Sequence, residues 1–167
     1  MLNKITPRLW NFFVALCCAS LLGFAYYSQY VDYLDPCPLC IFQRVVFFSI
    51  GVIALLAAIQ NPARTGQVVY GWLLVASASI GGMIAGRHIW LQSLPPDQVP
   101  ECGPGLNYML DNFPITEVLS TVLRGSGSCA EVIWSFFGMS MPMWTMVWYV
   151  GFGLITLFLL YRPGRNV

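Results

Sequence analysis

Four long stretches without a charged residue constrain this chain more than any other feature of its sequence. They run from Leu9 to Val31, from Val45 to Ala63, from Thr65 to Gly86 and from Val132 to Tyr161. A helix needs about 20 mostly apolar residues to cross a hydrocarbon core about 30 Å thick, because each residue adds about 1.5 Å. The stretches therefore predict four membrane-spanning helices.

The composition also favours lipid over water as the main solvent. Of the 167 residues, 57% are hydrophobic and only 9% are charged, whereas soluble domains average about 25% charged residues. A soluble protein of this length has too little polar chain to cover four buried apolar helices. The net charge is +1 and the sequence has no basic cluster, which excludes a nucleic-acid-binding protein.

We expect an all-α membrane protein with a single domain over residues 1–167, folded as a four-helix transmembrane bundle. The predicted spans are residues 9–27, 41–60, 67–89 and 144–161. Two loops then face the same side of the membrane, a short one over residues 28–40 and a long one over residues 90–143.

The charges indicate how the bundle is oriented. Five basic residues fall on one side of the four alternating spans: Lys4, Arg8, Arg64, Arg162 and Arg165. All seven acidic residues fall on the other side, where Arg44, Arg87 and Arg124 depart from the pattern. Because basic residues mark the cytoplasmic side, both termini are predicted to be cytoplasmic and both loops to face outward.

The long loop contains a segment with helical periodicity. Its apolar residues recur at helical spacing: Ile115, Val118, Leu119, Val122 and Leu123. Polar and charged residues take the opposite face, which predicts a short amphipathic helix lying on the membrane surface. The glycine- and serine-rich stretch 125–128 that follows is expected to be flexible.

Six cysteines divide into two groups. Cys17 and Cys18 lie in the middle of the first predicted span and are expected to be inert, because buried cysteines usually behave as small hydrophobic residues. The other four lie in the outward loops: Cys37, Cys40, Cys102 and Cys129. An even number of cysteines in an oxidising compartment indicates disulfides, and two purely structural bridges remain an open interpretation.

The C-x-x-C spacing of Cys37 and Cys40 favours a redox role over a structural one. Such a pair encloses too short a loop to constrain much structure, and its spacing is typical of cysteines that cycle between thiols and a disulfide. A zinc site made of the four loop cysteines is the other alternative. It usually needs two C-x-x-C pairs, whereas Cys102 and Cys129 lie far apart in the sequence.

The position of this pair at the start of the second span suits a reactive thiolate. Pro38 fits the first turn of a helix, and the helix dipole then favours a thiolate at Cys40. Arg44 lies four residues further on, so it shares a helix face with Cys40 and adds a fixed positive charge. Arg44 is a candidate ligand for the carbonyl oxygen of a lipid-soluble electron acceptor; extension towards lipid phosphate is the alternative.

His88 is the single histidine and ends the third predicted span. A lone interfacial histidine is more often packed or solvated than a ligand. Without a second histidine, neither a haem nor a metal site has support from the sequence, and we expect no metal. A hydrogen bond from His88 to a quinone oxygen remains open.

Taken together, these residues resemble the DsbB family of bacterial disulfide-bond formation proteins over nearly the whole chain. The matching motifs are Pro36-Cys37-Pro38-Leu39-Cys40-Ile41 followed by Arg44, the pair Arg87-His88, Cys102 in a proline-rich loop, Gly127-Ser128-Cys129-Ala130-Glu131, Trp134, and Met141-Pro142-Met143-Trp144. The resemblance implies a multi-pass protein of the bacterial inner membrane whose loops face the periplasm.

The resemblance also implies a reaction. A reduced periplasmic thiol oxidase of the DsbA type would attack a Cys102–Cys129 disulfide, with Cys102 taking the mixed disulfide. Freed Cys129 would then attack Cys37 and release Cys40 as a thiolate. Cys40 would reduce a membrane quinone, either ubiquinone or menaquinone.

The residues that would bind the quinone by this resemblance are Arg44 and His88. Two other functions remain as alternatives. One is a non-catalytic tetraspan membrane protein with two structural disulfides outside the membrane, which gives no reason for Arg44 one turn from Cys40. The other is a vitamin-K-type reductase, in which we would expect the C-x-x-C pair on a later helix.

Overall fold

The structure is a computed structural model that describes residues 6–99, 106–125 and 127–161. Within these ranges, four helices are long and apolar enough to cross a membrane. They are α1 (Pro7–Tyr30), α2 (Pro38–Gln60), α3 (Arg64–Gln92) and, at the C-terminal end, α7 (Met141–Tyr161). The predicted four-helix transmembrane bundle is confirmed, and each helix extends beyond its predicted span at one or both ends.

Shorter elements connect α3 to α7. A 3₁₀ turn (Pro96–Gln98) is followed by α4 (Leu106–Asn112), α5 (Ile115–Arg124), α6 (Gly127–Ala130), β1 (Ser135–Phe136) and β2 (Met139–Ser140). The two strands form an antiparallel hairpin in which Ser135 pairs with Ser140 and Phe136 with Met139. Phe137 and Gly138 both have positive φ, which is the turn geometry that follows the natural twist of such a hairpin.

The helices begin and end at residues suited to those positions. The Thr6 hydroxyl accepts a hydrogen bond of 3.2 Å from the main-chain nitrogen of Leu9, and Pro7 opens α1. Asn61 ends α2 in the left-handed conformation and allows a tight turn into α3. At that same end of the bundle, Arg8 Nε donates a hydrogen bond of 3.1 Å to the carbonyl oxygen of Ala58. This contact places a positive charge beside the carboxyl end of α2, where the helix dipole favours it.

The long helices pack in chain order, α1 on α2, α2 on α3 and α3 on α7. Two buried hydrogen bonds tie α7 to the other side of the bundle. Trp10 Nε1 donates to Thr156 Oγ1 at 3.1 Å, and the Tyr149 hydroxyl donates to the main-chain carbonyl of Gln43 at 2.9 Å. Tyr149 packs directly over Gly81 on α3, where any side chain would overlap its ring.

The outer surface of the bundle is apolar, as expected for helices that face lipid. Large hydrophobic side chains project outward from every long helix, among them Phe12, Phe48, Met83 and Leu154. The predicted orientation of the termini with respect to the membrane stays a prediction, and Lys4, Arg162 and Arg165 lie outside the described residues.

The predicted amphipathic helix is present as α5, and its apolar face packs against α2 and α3. Val118 and Val122 on its inner face are each 3% exposed, and they pack with Leu39 of α2 and Leu91 of α3. Ile115, which the periodicity also assigned to the apolar face, is 77% exposed. The helix therefore covers the end of the bundle at which α2 begins and α3 ends.

Candidate active site

The C-x-x-C pair lies at the amino end of α2. Cys37 is the residue before the first turn, Pro38 opens the helix, and Cys40 lies within the first turn. The two Sγ atoms are 3.2 Å apart. Cys37 is buried and Cys40 is half-buried, which keeps both sulfurs away from bulk water.

The fold brings His88 to this pair from α3. Its imidazole is 2% exposed, and its Nε2 atom lies 3.7 Å from Cys37 Sγ. The sequence indicated only that His88 ends a span near the outward loops. It gave no sign that the ring would be buried against a cysteine 51 positions earlier.

Gln43 supports the other side of the imidazole, and the sequence analysis did not single it out. Its side chain is 4% exposed, with Nε2 3.3 Å from His88 Nδ1 and Oε1 2.8 Å from the Thr145 hydroxyl. The same hydroxyl lies 2.9 Å from the carbonyl oxygen of Pro142. A hydroxyl carries one proton, so it cannot donate to both oxygens at once.

Exchanging the nitrogen and oxygen of this amide makes every contact a hydrogen bond at the same time. Gln43 then donates to Thr145, Thr145 donates to Pro142, and Gln43 accepts from His88 Nδ1. Amide and imidazole orientations are assigned from such networks. In this arrangement His88 Nε2 presents a lone pair to the Cys37 thiol, because its proton is on Nδ1.

Arg44 is held against α1 instead of extending into lipid. Its guanidinium donates to the carbonyl oxygen of Ala25 at 3.0 Å and to the side-chain oxygen of Gln29. It also lies over the ring of Tyr26, 5.3 Å from the centroid. These contacts fix the positive charge near the redox pair, and Gln29 is a second polar residue that no sequence pattern indicated.

Two cavities meet beside Cys40. The larger lies between α1 and α7 over the start of α2, and the smaller lies at the loop end of the bundle. Four residues line both cavities: Cys40, Arg44, Trp134 and Met141. Cys37 and His88 line only the smaller cavity.

The walls of the larger cavity are mainly aromatic and aliphatic. Phe47 and Trp148 come from the bundle, and Phe136 comes from the hairpin that precedes α7. The Phe136 ring contacts the rings of Trp134 and Trp144, each at a centroid distance of 6.1 Å. The short hairpin therefore completes the cavity by placing an aromatic cluster against its outer end.

Cys129 reaches the site through α6. It is 1% exposed and packs in the same buried cluster as Cys37. Gly125 makes this approach possible, because a Cβ atom there would lie 2.2 Å from Leu91 Cδ1 and its φ is +84°. The other predicted member of this pair, Cys102, lies outside the described residues.

Arg87 anchors the covering helix to the bundle. Its guanidinium donates to the carbonyl oxygen of Arg124 at 2.8 Å and lies 4.1 Å from the centroid of the Trp90 ring. A positive charge at the carboxyl end of α5 is favoured by the helix dipole. The structure thus connects Arg87 to the position of α5.

Comparison with known proteins assigns these features to one family. The family model described as disulfide bond formation protein DsbB matches residues 7–159. A disulfide bond formation protein B from Nitrosococcus oceani is 53% identical over 93% of this chain and 92% of its own length. Proteins of the same name from Hahella chejuensis and Chromobacterium violaceum are 49% and 48% identical, and each alignment covers 96% or more of both chains.

Proposed function

The chain belongs to the DsbB family of disulfide bond formation proteins, and from that premise we propose that it is a protein-dithiol:quinone oxidoreductase of the bacterial inner membrane. It takes electrons from a reduced periplasmic thiol oxidase of the DsbA type and passes them to a membrane quinone. One disulfide forms in the partner for each quinone reduced to quinol. The observation that carries this proposal is the position of Cys40 in the wall shared by the two cavities.

The larger cavity fits a quinone head group. Its walls are mainly aromatic and aliphatic, with Gln43, Arg44 and Thr145 as polar groups, and small-molecule sites typically combine apolar walls with a few polar groups. Arg44 is the cation in this wall, and its guanidinium can donate to a carbonyl oxygen. A bound quinone supplies the capacity to accept two electrons and two protons.

Arg44 and Cys40 are the residues we assign to the quinone. Cys40 presents its sulfur to the cavity from the first turn of α2, where the helix dipole stabilises a thiolate. Arg44 adds a positive charge that α1 holds in place through Gln29 and Ala25. Both groups are therefore oriented before any ligand binds, which lowers the free-energy cost of ordering the site.

His88 acts from the smaller cavity. Because its Nε2 faces Cys37, we propose that it contributes to quinone reduction as a proton-exchanging group at the Cys37 thiol. The Gln43–Thr145 hydrogen bonds hold the ring in the orientation that this exchange needs. The direct hydrogen bond from His88 to a quinone oxygen stays a prediction.

Electrons enter through the second cysteine pair. We propose that Cys102 and Cys129 form the disulfide that the partner attacks, after which the Cys129 thiolate attacks Cys37. A Cys37–Cys129 bond forms, the Cys37–Cys40 bond breaks, and Cys40 leaves as a thiolate. The burial of Cys129 in one cluster with Cys37 supports this transfer.

The test is a quinone-reduction assay on detergent-purified protein with a reduced DsbA-type partner as electron donor. We expect partner-dependent loss of ubiquinone or menaquinone, abolished by Cys37→Ser or Cys40→Ser in protein that still inserts. Cys17→Ser is the matched control, because Cys17 lies in α1 and lines neither cavity, and its rate should equal that of the parent chain.

The contrary results favour a different function. Normal turnover by Cys40→Ser would remove the proposed electron path. If the folded parent chain reduces neither quinone, the non-catalytic tetraspan with two structural disulfides becomes the better interpretation.

A further inference from the structure

Three side chains that commonly bind soft metal ions converge at the amino end of α2. The ligand atoms of Cys37, Cys40 and His88 all lie within 4.8 Å of one another. Two of the residues are buried and Cys40 is half-buried, so a bound ion would be largely shielded from water. The sequence gave no support for a metal site, because the histidine comes from a different helix than the cysteines.

The distances within this cluster are close to those of a zinc site. Tetrahedral Zn²⁺ with Zn–S of about 2.3 Å and Zn–N of about 2.0 Å requires sulfurs about 3.8 Å apart and sulfur–nitrogen distances of about 3.6 Å. Cys37 Sγ lies 3.7 Å from His88 Nε2 and 3.2 Å from Cys40 Sγ. The imidazole nitrogen is therefore at the required distance from Cys37 Sγ, and binding requires the Cys40 side chain to move away from Cys37 Sγ.

The surroundings of the cluster resemble those of a metal-binding histidine. Such a histidine usually donates its second N–H to an oxygen, which fixes the tautomer and aims the ring at the metal. Gln43 occupies that position, with its amide 3.3 Å from His88 Nδ1 and a further hydrogen bond to Thr145. With the amide oxygen of Gln43 facing Nδ1, the imidazole proton lies on Nδ1 and Nε2 can bind a metal ion through its lone pair.

A cation can also reach the cluster. The smaller cavity connects the loop end of the bundle with Cys37, Cys40 and His88, and the side chains of Asp35 and Glu131 line it. The wall also contains the Arg44 guanidinium, so these three charged groups together carry a net charge of −1, which favours cations over anions. The same cavity leaves room for water as a fourth ligand, as in zinc sites that keep an open position.

We propose that the reduced pair is a binding site for a thiophilic d¹⁰ cation such as Zn²⁺, held by Cys37 Sγ, Cys40 Sγ and His88 Nε2. Binding exchanges the two thiol protons for the metal ion, and no electron is transferred. The oxidised chain lacks the site, because both sulfurs are then joined in a disulfide. The metal thus binds only the form of the protein that is about to deliver electrons.

A bound ion would inhibit the proposed reaction. It occupies both sulfurs, so Cys40 can no longer transfer electrons and Cys37 can no longer exchange a disulfide. This consequence rests on the proposed oxidoreductase function. The binding itself rests only on the geometry of the three residues, so the two can be tested separately.

The binding test uses the purified full-length protein in detergent, reduced with a phosphine and kept under argon, without quinone or partner. Zn²⁺ is titrated in competition with a chromogenic chelator. We expect one tightly bound ion per reduced chain and none per oxidised chain. Cys37→Ser, Cys40→Ser and His88→Gln should each weaken binding at least 10- to 100-fold, and Cys17→Ser should leave it unchanged.

Two results would overturn the proposal. The first is equal binding by the oxidised and reduced chains. The second is binding that survives in Cys40→Ser but disappears in a Cys102→Ser, Cys129→Ser double variant, which would place the metal on the loop cysteines instead. If a site variant fails to fold, the Co²⁺ spectrum of the parent chain decides: intense tetrahedral thiolate bands support the site, and weak octahedral bands contradict it.

Discussion

The side-chain amide of Gln43 lies 3.3 Å from His88 Nδ1, and this contact crosses from α2 to α3 directly behind the redox pair. It makes one uncharged side chain responsible for the orientation of the imidazole. The opposite end of the amide is held by Thr145 on α7, so three helices determine how His88 faces Cys37.

Replacing Gln43 with leucine should slow the reaction and destabilise the bundle. The change leaves the buried His88 Nδ1 without its partner, a loss that typically costs about 1–3 kcal/mol. We expect kcat to fall several-fold while the KM for the protein partner stays constant. Ser49→Ala is the matched control, since Ser49 on α2 lines neither cavity and its hydroxyl donates to the carbonyl oxygen of Val45. An unchanged kcat in folded Gln43→Leu protein would contradict the role assigned to this network.

Replacing Arg44 should weaken the binding of quinone more than the binding of the protein partner. Its guanidinium makes charge-assisted hydrogen bonds, each typically worth about 1.5–3 kcal/mol, so we expect Arg44→Ala to raise the KM for quinone by about 10- to 100-fold. Arg44→Lys should recover little, because one ammonium cannot reproduce the planar fork that contacts Ala25 and Gln29. Arg64→Ala, at the opposite end of the bundle, should leave both KM values unchanged. Equal increases in the two KM values would remove Arg44 from the quinone site.

Replacing Gly125 with alanine should slow the transfer from Cys129 to Cys37. The new methyl group would lie 2.2 Å from Leu91 Cδ1, so α6 can no longer rest against the end of α3. We expect slower turnover with the protein partner but a normal rate with a small dithiol that reduces the Cys37–Cys40 pair directly. Stopped-flow measurements with each donor check this.

Two further variants separate the contact at Gly125 from its backbone strain. Gly138→Ala introduces a similar strain, at φ +73°, in the hairpin, but its Cβ would have no heavy atom within 4 Å. It should therefore not reproduce the donor-specific defect. Adding Leu91→Ala to Gly125→Ala should restore part of the lost rate, and no recovery would show that steric overlap is not the cause.

Replacing Trp10 with phenylalanine should affect stability and leave catalysis intact. The buried bond from Trp10 Nε1 to Thr156 Oγ1 is 3.1 Å long, and such bonds in membrane proteins contribute about 0.6 kcal/mol on average. Unfolding in mixed detergent should show a loss of about this size with unchanged kcat. Thr156→Val removes the same bond, so the double variant should cost less than the sum of the single variants. Additive losses would show that the bond contributes nothing.

The sequence predicted the architecture because the physical requirement for it is local. A charge-free stretch of sufficient length specifies a span by itself, and the helical periodicity of residues 115–123 specified α5 in the same way. Pro38 likewise placed the start of α2 beside the cysteine pair. These expectations needed no knowledge of which residues meet in space.

The details of the site depend on contacts between helices, which a single sequence does not contain. Gln43 and Gln29 are isolated polar residues in apolar helices, and only the fold shows that they support His88 and Arg44. A signal was present, because an uncharged amide within a span needs a hydrogen-bonding partner. The hairpin at residues 135–140 was missed because each strand has only two residues.

The wall that Cys40 shares between the two cavities has a consequence for the order of events. In the proposed reaction this wall separates the routes of the two substrates. The protein thiol approaches from the periplasmic end through the smaller cavity, and the quinone enters the larger cavity from the bilayer between α1 and α7. The protein partner and the quinone therefore occupy different parts of the site. Quinol can therefore leave for the bilayer while the protein partner is still bound. A new quinone can then bind before the partner dissociates.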